Sequence, residues 1–107
     1  MDRITDPVVA RFLADYLPAL REAYRPETVL LFGSRVRGDA LEDSDLDLVL
    51  VADRFRGVPF LERAIRVLAH IDLPWPVDLL CYTPEEFADK RAELGIVSAA
   101  VEEGIEV

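Results

Sequence analysis

The stretch Thr28–Val51 runs TVLLFGSRVRGDALEDSDLDLVLV. Its first five residues, Thr28–Phe32, are apolar and partly β-branched, which reads as a buried strand. Gly33 and Ser34 break that strand, and the polar segment from Arg35 to Ser44 suits a short helical turn followed by a loop. Asp45–Val51 then reads as a second strand. It alternates at first and turns continuously apolar, so its far end is expected to be buried on both faces. Asp45 and Asp47 stand two apart, so on a strand both side chains leave one face, about 6–7 Å apart along the backbone.

Working outward, Thr5 or Asp6 can cap a helix that opens on Pro7. Val8, Val9, Phe12, Leu13, Tyr16, Leu17 and Leu20 recur at helical spacing, and Pro18 is expected to kink that helix or end its regular part. Beyond the second strand, Phe60, Leu61, Ala64, Ile65, Leu68 and Ile71 form the apolar stripe of another helix. Pro74-Trp75-Pro76 forces a break, and Val77–Tyr82 is a third strand. Thr83-Pro84-Glu85-Glu86 is a strong helix start, with a cap, a proline at the first helical position and acids near the dipole's positive end. One helix follows, or two broken at Gly95, with Phe87, Leu94, Val97 and Val101 directed inward. The expected order is α-β-α-β-α-β-α, an α+β chain with a small mixed sheet flanked by helices.

The 107 residues fit a single domain over 1–107. A hydrophobic share of 51% and a mean hydropathy of +0.16 give enough apolar surface for a core. No apolar run approaches the roughly 20 residues needed to cross a bilayer. The first residues lack a signal-peptide pattern and the single Cys81 cannot pair internally, so a cytoplasmic setting is expected. A net charge of −9 argues against a broad nucleic-acid-binding face, which needs clustered positive charge. It leaves room for nucleotides, which a few backbone amides and a metal can hold.

Three acids carry the chemistry. Asp45 and Asp47 share a strand, and Asp78 interrupts an otherwise apolar one. Converging carboxylates repel unless a cation sits among them, and magnesium, a hard ion that prefers oxygen, is the natural candidate. Two such ions about 4 Å apart can clamp the attacking and leaving oxygens of a phosphoryl transfer. Gly33 permits close backbone approach, and the turn's amides with the Ser34 hydroxyl can hold phosphate oxygens. Arg35 and Arg37 lie in the same turn, where at least one can neutralise phosphate charge. No Walker or Rossmann glycine motif occurs. Other residues read as structure: His70 at a helix end, Cys81 as a small buried hydrophobe, Trp75 as core with a partner-binding anchor as the alternative, Arg54 and Arg56 as loop charges, and Glu85-Glu86 and Glu102-Glu103 as helix surface.

Leu31-Phe32-Gly33-Ser34, Arg35-Val36-Arg37-Gly38-Asp39 and Ser44-Asp45-Leu46-Asp47-Leu48, with a later strand bearing Asp78, resemble the signature of the minimal nucleotidyltransferases. These are the small stand-alone members of the DNA polymerase β superfamily. The resemblance implies the nucleotidyltransferase fold, with Gly33 and Ser34 on the β and γ phosphates of ATP. It implies magnesium on Asp45 and Asp47, with Asp78 completing the metal site and helping to deprotonate an acceptor hydroxyl. The spacing of the third acid varies in this family, and Asp72 is its neighbour in a Pro-flanked loop. The 107 residues are not expected to hold the extra acceptor-binding domain of larger superfamily members, so the resemblance implies an acceptor on another chain: a helical HEPN-type toxin, with this chain as its antitoxin adding AMP to it. A non-catalytic module that neutralises by binding is the alternative. A transferase acting on a small molecule such as an aminoglycoside is another, its pocket completed by a homo-oligomer.

Overall fold

The computed structural model describes residues 6–107. Helical structure runs without interruption from Pro7 to Tyr24, as α1 (Pro7–Arg11), a π-helical turn (Phe12–Tyr16) and α2 (Leu17–Tyr24). Asp6 caps α1 by accepting hydrogen bonds from the amides of Val8 and Val9, while Thr5 lies outside the described residues. Pro18 falls in the first turn of α2, where its missing N–H is least costly. The π turn just before it ends the regular helix, as the proline requires.

β1 (Thr28–Phe32), α3 (Ser34–Arg37), β2 (Leu46–Val51), α4 (Phe60–His70), β3 (Val77–Tyr82), α5 (Pro84–Ala92), α6 (Ile96–Glu103) and β4 (Ile105–Glu106) complete the chain. The sheet order is β3-β2-β1-β4. β1 is antiparallel to β2 and β4, and β2 is parallel to β3, so the sheet is mixed. α4 makes the crossover that a parallel pair demands. β4 was not legible in advance, because two residues carry no periodicity.

Strand alternation splits the core between two faces. Val29, Leu31, Leu46, Leu48, Leu50, Leu79 and Cys81 pack with the N-terminal helices and α4 on one side. Leu30, Phe32, Val49, Val51 and Tyr82 meet Phe87, Val97 and Ala100 of α5 and α6 on the other. Burial in the first cluster makes Cys81 the small hydrophobe expected and pushes its thiol up to about 12. Trp75 packs against the first cluster and meets Tyr16 edge-on at 5.4 Å.

Two apolar stripes differ from expectation. On α4, Ala64 and Leu68 pack inward, but Leu61 and Ile65 are 80% and 67% exposed. The helix is rolled so that Arg63 is buried instead. Its guanidinium donates to the carbonyls of Val58 and Cys81 and to the Glu86 carboxylate. These bonds make burial of the charge tolerable. Glu86 is therefore not plain helix surface: it also closes the Thr83 capping box, and Arg63 holds its carboxyl at about 2. The chain breaks into α5 and α6 around Gly95, which leaves Leu94 fully exposed rather than inward.

Candidate active site

Asp47 and Asp78 occupy paired positions on the parallel strands β2 and β3, and Asp47 also pairs with Phe32 of β1. Alternation places both acids on the face that α5 and α6 cover. Just past Phe32 the chain turns at Gly33, whose φ of 82° and ψ of −162° belong to a region reserved for glycine. A Cβ there would stand 2.0 Å from Asp47 Oδ2, so the missing side chain is what admits the carboxylate beneath the turn. Ser34 then opens α3, and Gly38, at φ 89°, closes it.

A pocket of about 340 Å³ lies over these groups. Phe32, Gly33, Ser34, Arg37, Asp47 and Asp78 line it together with Ile96, Ala99, Ala100 and Glu103 of α6. Burial, then the Asp78 charge, then the Asp45 charge raise the Asp47 carboxyl above the ordinary range, while Arg37 opposes them. Among the described residues, the pocket therefore concentrates negative charge beside a single arginine, with a glycine-serine turn in its lining.

The remaining sequence-derived residues separate. β2 begins at Leu46, so Asp45 stands on the exposed loop before it, absent from the pocket lining and felt at Asp47 through its charge. Among the described residues, no three His, Cys, Asp or Glu side chains stand close enough together to hold a metal. The two arginines of the turn also part company. Arg37 lines the pocket, whereas Arg35 is buried and turned away from it. Arg35 donates to the Asp6 carboxylate and to the carbonyls of Glu42 and Ser44, each at 3.0 Å by its shortest contact. It thereby ties the loop that delivers Asp45 to the cap of α1. Asp72 is exposed and outside the pocket. Glu103, read in advance as helix surface, belongs to the pocket; only the folding of α6 back over the sheet brings it there.

Known proteins share this chain's family and fold. Over 81 residues, 74% of this chain and 71% of the relative, the sequence is 36% identical to a Haemophilus influenzae protein named "Probable protein adenylyltransferase MntA". The fold matches that of a Sulfolobus solfataricus crystal structure assigned to the nucleotidyltransferases, with a TM-score of 0.62 at 22% identity over 99% of this chain and 87% of that one. The model of the nucleotidyltransferase domain matches residues 13–107, which include Gly33, Ser34, Asp45, Asp47 and Asp78. The chain belongs to the nucleotidyltransferase domain family and is a transferase of that kind.

Proposed function

We propose that this chain transfers AMP from ATP to a hydroxyl on a partner protein, with a divalent metal, as the antitoxin of a helical HEPN-type toxin. The observation that carries the transfer is the paired Asp47 and Asp78 beneath the Gly33-Ser34 turn in one pocket. The 36% identity to a relative named as a protein adenylyltransferase supports AMP as the group and protein as the acceptor.

The acids suit magnesium by their donor chemistry. They offer only carboxylate oxygen, and the burial and crowded negative charge that raise Asp47 are what a bound cation offsets. Asp47 and Asp78, at paired positions on β2 and β3, would be the protein's donors, while Asp45, on the exposed loop before β2, would act on the ion through its charge. Bound there, magnesium would offset phosphate charge and favour in-line displacement. Ser34 and the Gly33 turn would hold the β and γ phosphates, and Arg37 would pair with them. The acceptor hydroxyl oxygen attacks the α-phosphorus while the bond to the bridging oxygen of the β-phosphate breaks. Pyrophosphate leaves, and Asp78, exposed at the pocket, takes the hydroxyl proton. Arg35 contributes by holding the Glu42–Ser44 loop rather than by touching phosphate.

The test uses α-labelled ATP and magnesium with the purified protein in host lysate, beside the Asp45→Asn, Asp47→Asn variant. Label on a protein band with the native chain alone is the expected result, and mass spectrometry then identifies the acceptor. Transfer that persists in the variant, or no labelled protein at all, refutes the assignment.

A further inference from the structure

Among the described residues, Arg37 is the one cation lining the pocket, and it is already engaged. Its Nε lies 3.4 Å from Asp39 Oδ2, and its Nη1 lies 3.7 Å from Glu103 Oε1. Asp39 belongs to the same turn and travels with Arg37. Glu103 comes from a different element, as the last residue of α6. Its place is fixed by Gly104, where a Cβ would stand 2.3 Å from the Ala100 carbonyl oxygen and 2.6 Å from that of Leu31. The chain thus turns tightly from α6 into β4 and leaves Glu103 at the pocket's edge. The Arg37 and Glu103 side chains are 47% and 50% exposed, so water screens the pair and it exchanges partners readily. A phosphate, with more charge and several acceptor oxygens, is the stronger partner for a guanidinium.

We propose that Glu103 is a competing counter-ion for Arg37: it holds the guanidinium when no phosphate is present and yields it to the triphosphate or pyrophosphate. This rests on the reading of Arg37 as a phosphate ligand. Glu103 is then a positioning residue that acts through Arg37 and sets the affinity of the pocket for polyphosphate. It weakens capture of ATP slightly and recaptures Arg37 as pyrophosphate departs.

Calorimetric titration of the full chain at low ionic strength tests this, with ATP–magnesium and with pyrophosphate as ligands. The chains are native, Glu103→Gln, Glu102→Gln, Arg37→Ala and Arg37→Ala/Glu103→Gln. Glu103→Gln is expected to tighten both ligands by about two- to fivefold, the range open to an exposed ion pair. Glu102→Gln, which removes the same charge one residue away, leaves affinity unchanged. In the Arg37→Ala background the gain disappears, because Glu103 has nothing left to occupy. Unchanged or weaker binding by Glu103→Gln overturns the inference, as does an equal gain without Arg37 or from Glu102→Gln. A native chain that binds neither ligand overturns the functional proposal and this inference together. Tight native binding with no response to Glu103→Gln overturns the inference alone.

Discussion

Replacing Gly33 with alanine should destabilise the domain and disable the site together. The backbone there, φ 82° and ψ −162°, costs a residue with a Cβ about 1–3 kcal/mol. The added methyl would also lie 2.0 Å from Asp47 Oδ2 and 2.9 Å from Asp47 Cγ, so the carboxylate must swing out of its position. Asp47 sits in mid-sheet, paired to both neighbouring strands, so its backbone cannot follow. A loss of about 2–3 kcal/mol is expected, which lowers Tm by roughly 8–20 °C for a domain of this size. Thermal unfolding by circular dichroism on Gly33→Ala, Asp47→Ala and the double variant separates the two contributions. Removing the carboxylate relieves the clash but not the dihedral strain. The double variant should therefore regain about 1 kcal/mol relative to additivity. Nucleotide transfer by Gly33→Ala should fall to background. A Gly33→Ala chain that melts within a degree or two of native, or a strictly additive double variant, refutes the idea that this glycine exists to admit the carboxylate.

Other outcomes follow from the same contacts. Asp47 has a raised carboxyl in the folded chain, so the native state holds its proton more tightly. Stability from this group is present below the ordinary Asp range and lost as pH rises through the raised value. In chelator at neutral pH, Asp47→Asn should thus melt higher than native while abolishing transfer; a lower Tm would show that its charge is already compensated. Glu86 has the opposite sign: its carboxyl is held at about 2, so its contribution exists above 4.5 and drains as pH falls toward 2. With Glu86 43% exposed, water trims this to about 1 kcal/mol, and Glu86→Gln should flatten that part of the acid-unfolding curve. Acid titration of stability with an unchanged slope would remove the Arg63 pair from the account. Gly104→Ala should cost about 2 kcal/mol or more, because backbone carbonyls block the methyl. A native-like denaturant midpoint would show that the turn into β4 relaxes freely.

Much of this architecture was legible along the chain. Thr28–Phe32 and Val77–Tyr82 are strands as their apolar runs require, and the capping box at Thr83 and the proline-opened α1 start where their caps stand. These are local effects, fixed by side-chain bonds within three residues or by strand periodicity. Leu61, Ile65 and Leu94 were misplaced because periodicity shows that a helix has an apolar side but not how far it is rolled. In α4 the roll follows Arg63, whose carbonyl and Glu86 partners come from the α4 entry, β3 and α5.

The site divides the same way. Gly33-Ser34, Asp45, Asp47 and Asp78 are visible as a pattern because the proposed phosphate and metal chemistry calls for those residue types at that spacing. The sequence by itself therefore determined the family of the chain and marked the residue types of the candidate site. It could not tell Arg35 from Arg37, since both are arginines two positions apart in one turn. The fold buries one against Asp6 and the loop carbonyls and opens the other to the pocket. Nor could it place Glu103, 56 residues from Asp47, at the pocket's edge (103 − 47). Only the tertiary structure decided these, because the partners that bury one charge and expose another arrive from distant parts of the chain, and no local spacing records them.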